Sequence, residues 1–130
     1  MQIAIVGTGY VGLVAGACLA DSGHVVTCVD NNHAKVLQLA NGVVAMHEPG
    51  LTALVSRNIT RGRLRFTNDL GRAARGVQLI FISVGTPSNS DGSPDLSQVM
   101  NVAQQLGRVL SERTTVVVRS TVPAVAFAFA

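Results

Sequence analysis

The chain has 130 residues, enough for one domain that buries roughly two thirds of its unfolded surface, and 48% hydrophobic against 13% charged residues excludes a disordered chain. Aromatics make up only 4%, while Val, Ala, Leu and Gly abound, which suits a buried parallel sheet under helices better than an aromatic-rich sandwich. The net charge is +3, and six arginines (Arg57, Arg61, Arg63, Arg65, Arg72 and Arg75) fall close together without a nucleic-acid motif, so they read as a solvated surface.

Gln2 to Val6 is a β-branched apolar run and reads as a strand, broken by Gly7 to Gly9. Tyr10 to Ser22 follows as a helix of small residues, closed by Gly23. His24 to Val29 is a second strand, and Asn31 or Asn32 can cap a helix reaching about Ala40. Strand, helix and strand within thirty residues imply a right-handed parallel crossover. After Glu48-Pro49-Gly50 come a short helix at Leu51 to Asn58, a strand at Leu64 to Thr67 and a helix at Asp69 to Arg75. Leu79 to Val84 is wholly apolar and reads as a central strand, followed by a Gly-, Pro- and Ser-rich loop from Gly85 to Pro94. Asp95 or Ser97 starts a long helix with Val99, Val102, Ala103, Leu106 and Leu110 on one stripe, and Thr114 to Val118 is the last clear strand. This alternation predicts an α/β fold: a doubly wound parallel sheet in three layers, strand order 3-2-1-4-5.

Met1 to Ala20 carries no charge and reaches the length of a membrane helix, but it is broken by Gly7, Gly9, Gly12 and Gly16, and no Lys or Arg precedes it. Neither a membrane span nor a signal peptide is expected. Cys18 and Cys28 have no metal-ligand spacing and form no disulfide scaffold; both read as small buried hydrophobes in a reducing cytoplasm. No metal site is expected.

Gly7-Thr8-Gly9-Tyr10-Val11-Gly12 matches G-x-G-x-x-G, and its context strengthens it: the run follows a strand, opens a helix, and precedes Asp30, eighteen positions after Gly12 at the end of the second strand. Gly7 permits the tight turn, Gly9 admits a pyrophosphate to the backbone, and Gly12 lets the helix lie close to the sheet. The first amides of that helix, Tyr10 and Val11 among them, are candidate anion donors. Asp30 can accept from ribose hydroxyls and would repel a 2′-phosphate, so the Rossmann-type domain is expected to bind NAD rather than NADP. Lys35 by itself is ambiguous, because most exposed lysines only keep a face soluble.

Five blocks in order carry a further resemblance: IAIVGTGYVGL from Ile3, VDNNHAKV from Val29, HEPGL from His47, VGTPSNSDGSPDLS from Val84 and RSTVP from Arg119. From Met1 to about Pro123 the chain resembles the NAD-binding part of the UDP-glucose 6-dehydrogenase family, whose relatives include the GDP-mannose and UDP-N-acetylmannosamine dehydrogenases. The resemblance implies NAD contacts at Val11, Asp30, Lys35, Thr86 and Thr121. The two threonines each follow a predicted strand, at the edge where open α/β sheets bind ligands. It further implies oxidation of a nucleotide sugar at C6 by two NAD through a cysteine thioester. The cysteine, the catalytic lysine, a later cofactor-contacting glutamate and the substrate domain fall beyond these residues, so no catalytic residue is assigned here. A nucleotide sugar is expected as a partner only together with that domain. The DGSPDLS stretch resembles the UDP-glucose branch more than the others. EPGL and VGTP argue against a bare NAD sensor.

The chain departs from the family at Ala45-Met46-His47 before EPGL, and again after Pro123. Residues 124–130, an apolar tail with Val125, Phe127 and Phe129 at alternate positions, read as a truncation or shifted frame after a domain ending at residue 123. An unpaired last strand next to that tail predicts self-association.

Overall fold

The computed structural model describes residues 1–111 and 113–120. In chain order the elements are β1 (Gln2–Val6), α1 (Tyr10–Asp21), β2 (Val25–Val29), α2 (His33–Ala40), α3 (Leu51–Thr60), β3 (Leu64–Thr67), α4 (Leu70–Ala74), β4 (Leu79–Ile82), α5 (Ser97–Val109) and β5 (Thr115–Val118). All strand pairings are parallel and the order is β3-β2-β1-β4-β5. Ile5 of β1 lies opposite Cys28 of β2 on one side and Phe81 of β4 on the other. This is the expected three-layer doubly wound architecture.

Successive side chains of a strand point to opposite faces, so a central strand coated by helices on both sides must be apolar throughout. In β1, Ile3 and Ile5 pack with Leu13 and Ala17 of α1, Leu39 of α2 and Val55 of α3. Ala4 and Val6 point the other way, into a second cluster with Leu70 and Ala73 of α4, Ile80 and Ile82 of β4, and Leu106 of α5. Each fully buried Ile or Leu contributes about 1.5–3 kcal/mol relative to exposure.

Helix ends follow local chemistry. Asn32, rather than Asn31, caps α2: its side chain accepts from the Lys35 amide at 3.1 Å. Asp69 caps α4 by accepting from the Arg72 amide at 3.0 Å. Helix α1 stops at Asp21, with Ser22 turning its hydroxyl back to the Cys18 carbonyl. Helix α3 runs two residues past Asn58, which is buried and donates to both the Leu54 carbonyl and the Asp21 carboxylate. Strand β4 ends at Ile82 rather than Val84, because its partner β1 ends at Val6, where Gly7 turns away with φ +108°.

The two cysteines differ, contrary to the expectation that both are buried. Cys28 is enclosed, its sulfur 2.7 Å from where a Cβ on Gly16 would stand, and burial pushes its thiol up to about 12. Cys18 is exposed on α1. The arginine-rich segment is largely solvated, with Arg57 and Arg61 near the Asp21 carboxylate at 3.0 and 3.9 Å. No helix among the described residues is long and apolar enough to cross a membrane. Strand β5 lies at one edge of the sheet among the described residues, and its Thr115 and Val116 are exposed. Residues 124–130 lie outside the described residues.

Candidate cofactor site

The carboxyl ends of β1, β2, β4 and β5 open into one cleft of about 550 Å³. Its floor is the turn between β1 and α1. Gly7 takes a left-handed backbone, and its amide donates to the Val29 carbonyl at 2.7 Å, which ties the turn to the end of β2. A Cβ on Gly7 would collide with the Ser83 carbonyl, and one on Gly12 with the Gly7 carbonyl. Both glycines are therefore packing requirements of the turn. Gly9 differs from both. Its backbone is ordinary extended (φ −70°, ψ −169°), and a Cβ there would meet nothing within 4 Å. The fold itself gives no reason for a glycine at that position; the open space above it lies over the start of α1.

That helix start is also chemically unsatisfied among the described residues. The first amides of a helix have no intrahelical acceptor, and the side chain that caps α2 and α4 is absent at Gly9. Free N–H groups and the positive end of the helix dipole converge on an uncluttered space, an arrangement that holds an anion.

Asp30 stands at the end of β2, half-buried on the wall of this cleft. The Thr8 hydroxyl and amide donate to its Oδ2 at 2.5 and 3.2 Å, the Asn32 amide donates to its Oδ1 at 3.0 Å, and the Lys35 ammonium lies 3.8 Å away. Burial alone pushes the carboxyl up. The Thr8 hydroxyl, the two amides and Lys35 together outweigh burial and hold it below the usual carboxylate range. Asp30 is thus a fixed anion with lone pairs left to accept further hydrogen bonds.

Gly7, Gly9, Val11, Asp30, Lys35 and Thr86 all line this cleft. Gly12 lies beneath the turn. Tyr10 is more than half exposed outside the cleft, where its hydroxyl donates to Glu48 of the EPG turn at 3.0 Å; that carboxylate raises the Tyr10 hydroxyl. Thr121 lies outside the described residues. Sequence reasoning missed Thr8, which is wholly buried and sets Asp30 in place. It also missed the polar face of α5, where Gln98, Asn101 and Gln105 line the cleft. Their spacing of three and four residues was a readable signal, since it marks one helix face, but it runs beside the more conspicuous apolar stripe.

A doubly wound parallel sheet with a glycine turn open to an anion, an acidic residue closing β2 and a cleft across the strand-order reversal defines a dinucleotide-binding domain. The family model for the NAD binding domain of the UDP-glucose/GDP-mannose dehydrogenase family matches residues 1–128. The chain belongs to that family, as its NAD-binding domain. It is 48% identical over 124 residues to UDP-glucose 6-dehydrogenase of Rhizobium meliloti, covering 95% of this chain and 28% of that protein. It is 42% identical over 125 residues to GDP-mannose 6-dehydrogenase of Pseudomonas syringae pv. syringae, covering 94% of this chain and 28% of that one. A ternary complex of GDP-mannose dehydrogenase from Pseudomonas aeruginosa superimposes with a TM-score of 0.90 at 43% identity, over 94% of this chain and 29% of that chain. The 130 residues thus correspond to a little over a quarter of these relatives' length.

Proposed function

We propose that this domain serves a UDP-glucose 6-dehydrogenase, holding the NAD that takes hydride from C6 of UDP-glucose. The observation that carries the cofactor half of this reading is the conjunction at the cleft floor. Gly9 leaves open space over unsatisfied helix amides, and Asp30 is held ionised beside it. In this reading the amides at the start of α1, those of Tyr10 and Val11 included, hold the pyrophosphate, and Asp30 accepts from the adenosine ribose hydroxyls. Lys35, 3.8 Å from Asp30, keeps that carboxylate charged and in place. The Asp30 charge excludes a 2′-phosphate, so NAD is preferred over NADP. Thr86, at the end of β4, and Thr121, after β5, serve the nicotinamide half. When bound, NAD supplies the hydride acceptor; the residues described here bind and orient it. The reaction belongs to the cytoplasm.

UDP-glucose as substrate is supported by the 48% identity to the R. meliloti enzyme and by the DGSPDLS stretch between β4 and α5. GDP-mannose is the competing substrate, on the strength of the 0.90 superposition and 43% identity to the P. aeruginosa enzyme. Chimeras test the choice. This chain replaces the corresponding segment of the R. meliloti UDP-glucose enzyme and, separately, of the P. aeruginosa GDP-mannose enzyme, and NADH production is followed. The UDP-glucose chimera should retain more of its parent's kcat/KM than the GDP-mannose chimera retains of its own. The opposite order would overturn the substrate assignment and leave the cofactor assignment standing. The 130-residue chain by itself should produce no NADH with UDP-glucose.

A further inference from the structure

Hydrogen bonds along the carboxyl edge of the sheet fix the order in which residues meet the cleft. The Asp30 amide donates to the Thr67 carbonyl at 3.1 Å, the Gly7 amide to Val29 at 2.7 Å, the Ser83 amide to Val6 at 2.8 Å and the Arg119 amide to Ile82 at 2.8 Å. The edge therefore runs from Asp30 after β2, through the Gly7 turn and Ser83, to Arg119 after β5. Neighbouring strands lie about 4.8 Å apart, so the three steps from β2 to β5 put roughly 14 Å between the backbones of Asp30 and Arg119. The Ser120 hydroxyl donates to the Val84 carbonyl at 2.7 Å, which holds Arg119 and Ser120 beside Val84, Gly85 and Thr86. All five line the cleft.

The charged side chains of the cleft are unequally engaged. At one end Asp30 and Lys35 stand 3.8 Å apart as an ion pair. Arg119, at the other end, is exposed and has no carboxylate within ion-pair distance among the described residues. Its guanidinium stays protonated throughout the working pH range. With the adenosine ribose at Asp30 and the pyrophosphate at the start of α1, the nicotinamide extends over β4 towards Arg119. That ring is cationic in NAD and neutral in NADH.

We propose that Arg119 biases the oxidation state of the bound cofactor, its unpaired charge opposing the cationic ring of NAD and favouring the neutral ring of NADH. The proposal rests on the cofactor reading above. When hydride leaves the alcohol carbon and the hydroxyl proton goes to water, a C–H bond forms on the ring and the positive charge facing Arg119 disappears. The repulsion is relieved in the direction of substrate oxidation. At an open, solvent-screened wall such a pair of charges changes an affinity by about threefold to tenfold.

Titration of the 130-residue chain and its Arg119→Gln variant with NAD, NADH and ADP-ribose tests the proposal. ADP-ribose keeps the adenosine, pyrophosphate and second ribose but lacks the ring. The ratio of the NAD Kd to the NADH Kd should fall about threefold to tenfold in Arg119→Gln, while ADP-ribose affinity stays within about twofold of wild type. Arg119→Lys, which keeps the charge, should keep the wild-type ratio. Should Arg119→Gln fail to fold, Arg119→Met removes the same charge and should lower the ratio alike. A ratio unchanged by loss of the charge, or lost equally in Arg119→Lys, would overturn the proposal and leave the cofactor reading standing. So would a uniform weakening of all three ligands, which would assign the guanidinium to the phosphates. Failure of the wild-type chain to bind any of them would overturn both.

Discussion

Gly9 and Gly12 belong to one motif, yet on the proposed cofactor reading their duties are separable, and a pair of substitutions pulls them apart. At Gly9 the backbone is extended and the space for a Cβ is empty. Gly9→Val therefore costs the fold only the difference between glycine and valine at a helix N-cap, about 1 kcal/mol. For a domain of this size that is a fall in Tm of about 4 °C. The valine would, however, stand where an anion must approach the α1 amides, and NAD binding should be lost. Gly12→Ala reverses the pattern. Alanine is the better helix former by about 1 kcal/mol, but its methyl lands on the Gly7 carbonyl, with the Ile5 side chain 3.5 Å away. Backbone cannot move aside as a side chain can, so a net destabilisation of about 2–3 kcal/mol follows, or about 10 °C. Thermal melts by circular dichroism, run with and without NAD, read both effects. NAD should raise the wild-type Tm by mass action and leave that of Gly9→Val unchanged. A Gly9→Val protein that still responds to NAD, or a Gly12→Ala protein as stable as wild type, would refute this division of labour.

Three further outcomes are expected. The folded state holds Asp30 ionised below the usual carboxylate range, so its hydrogen bonds stabilise the fold above that range, and the contribution is lost as pH falls through the depressed value. Urea melts of wild type and Asp30→Asn should differ at pH 7 and begin to converge only as the pH falls below the usual carboxylate range; a difference undiminished in strong acid would contradict the assigned interactions. Iodoacetamide should modify the exposed Cys18 in the native state and spare Cys28, whose enclosed thiol is pushed up to about 12, until denaturant is added; mass spectrometry of the peptides decides. Deleting residues 124–130 should lower light scattering, because it removes an uncharged apolar segment that follows β5 in the sequence. Identical scattering from both forms would show that the segment plays no part in association.

The fold was largely legible in the sequence because its signals are local. The β1–α1–β2 unit reads from a β-branched run, three spaced glycines and Asp30, and the buried side of α5 reads from Val99 and Leu106. Two kinds of feature were not legible. Helix α1 is apolar nearly all round, with Gly, Ala and Val on every face, so no amphipathic pattern separated the exposed Cys18 from the buried Ala17 beside it. The supporting polar contacts join residues far apart in the chain: Thr8 with Asp30, Tyr10 with Glu48, and Asn58 with Asp21. Nothing in the spacing of a threonine within a glycine loop says that its hydroxyl will orient a carboxylate twenty-two residues later. That pairing exists only because β1 and β2 are neighbours in parallel register.

The central claim is that Asp30, held as a carboxylate at the end of β2, makes this an NAD site. Calorimetric titration of the 130-residue chain and its Asp30→Ala variant with NAD and NADP tests it most directly. Wild type should bind NAD at least about tenfold tighter than NADP, and Asp30→Ala should weaken NAD and narrow that ratio, since both the ribose contact and the repulsion of a 2′-phosphate are removed. Equal or tighter binding of NADP by the wild-type chain would contradict the account.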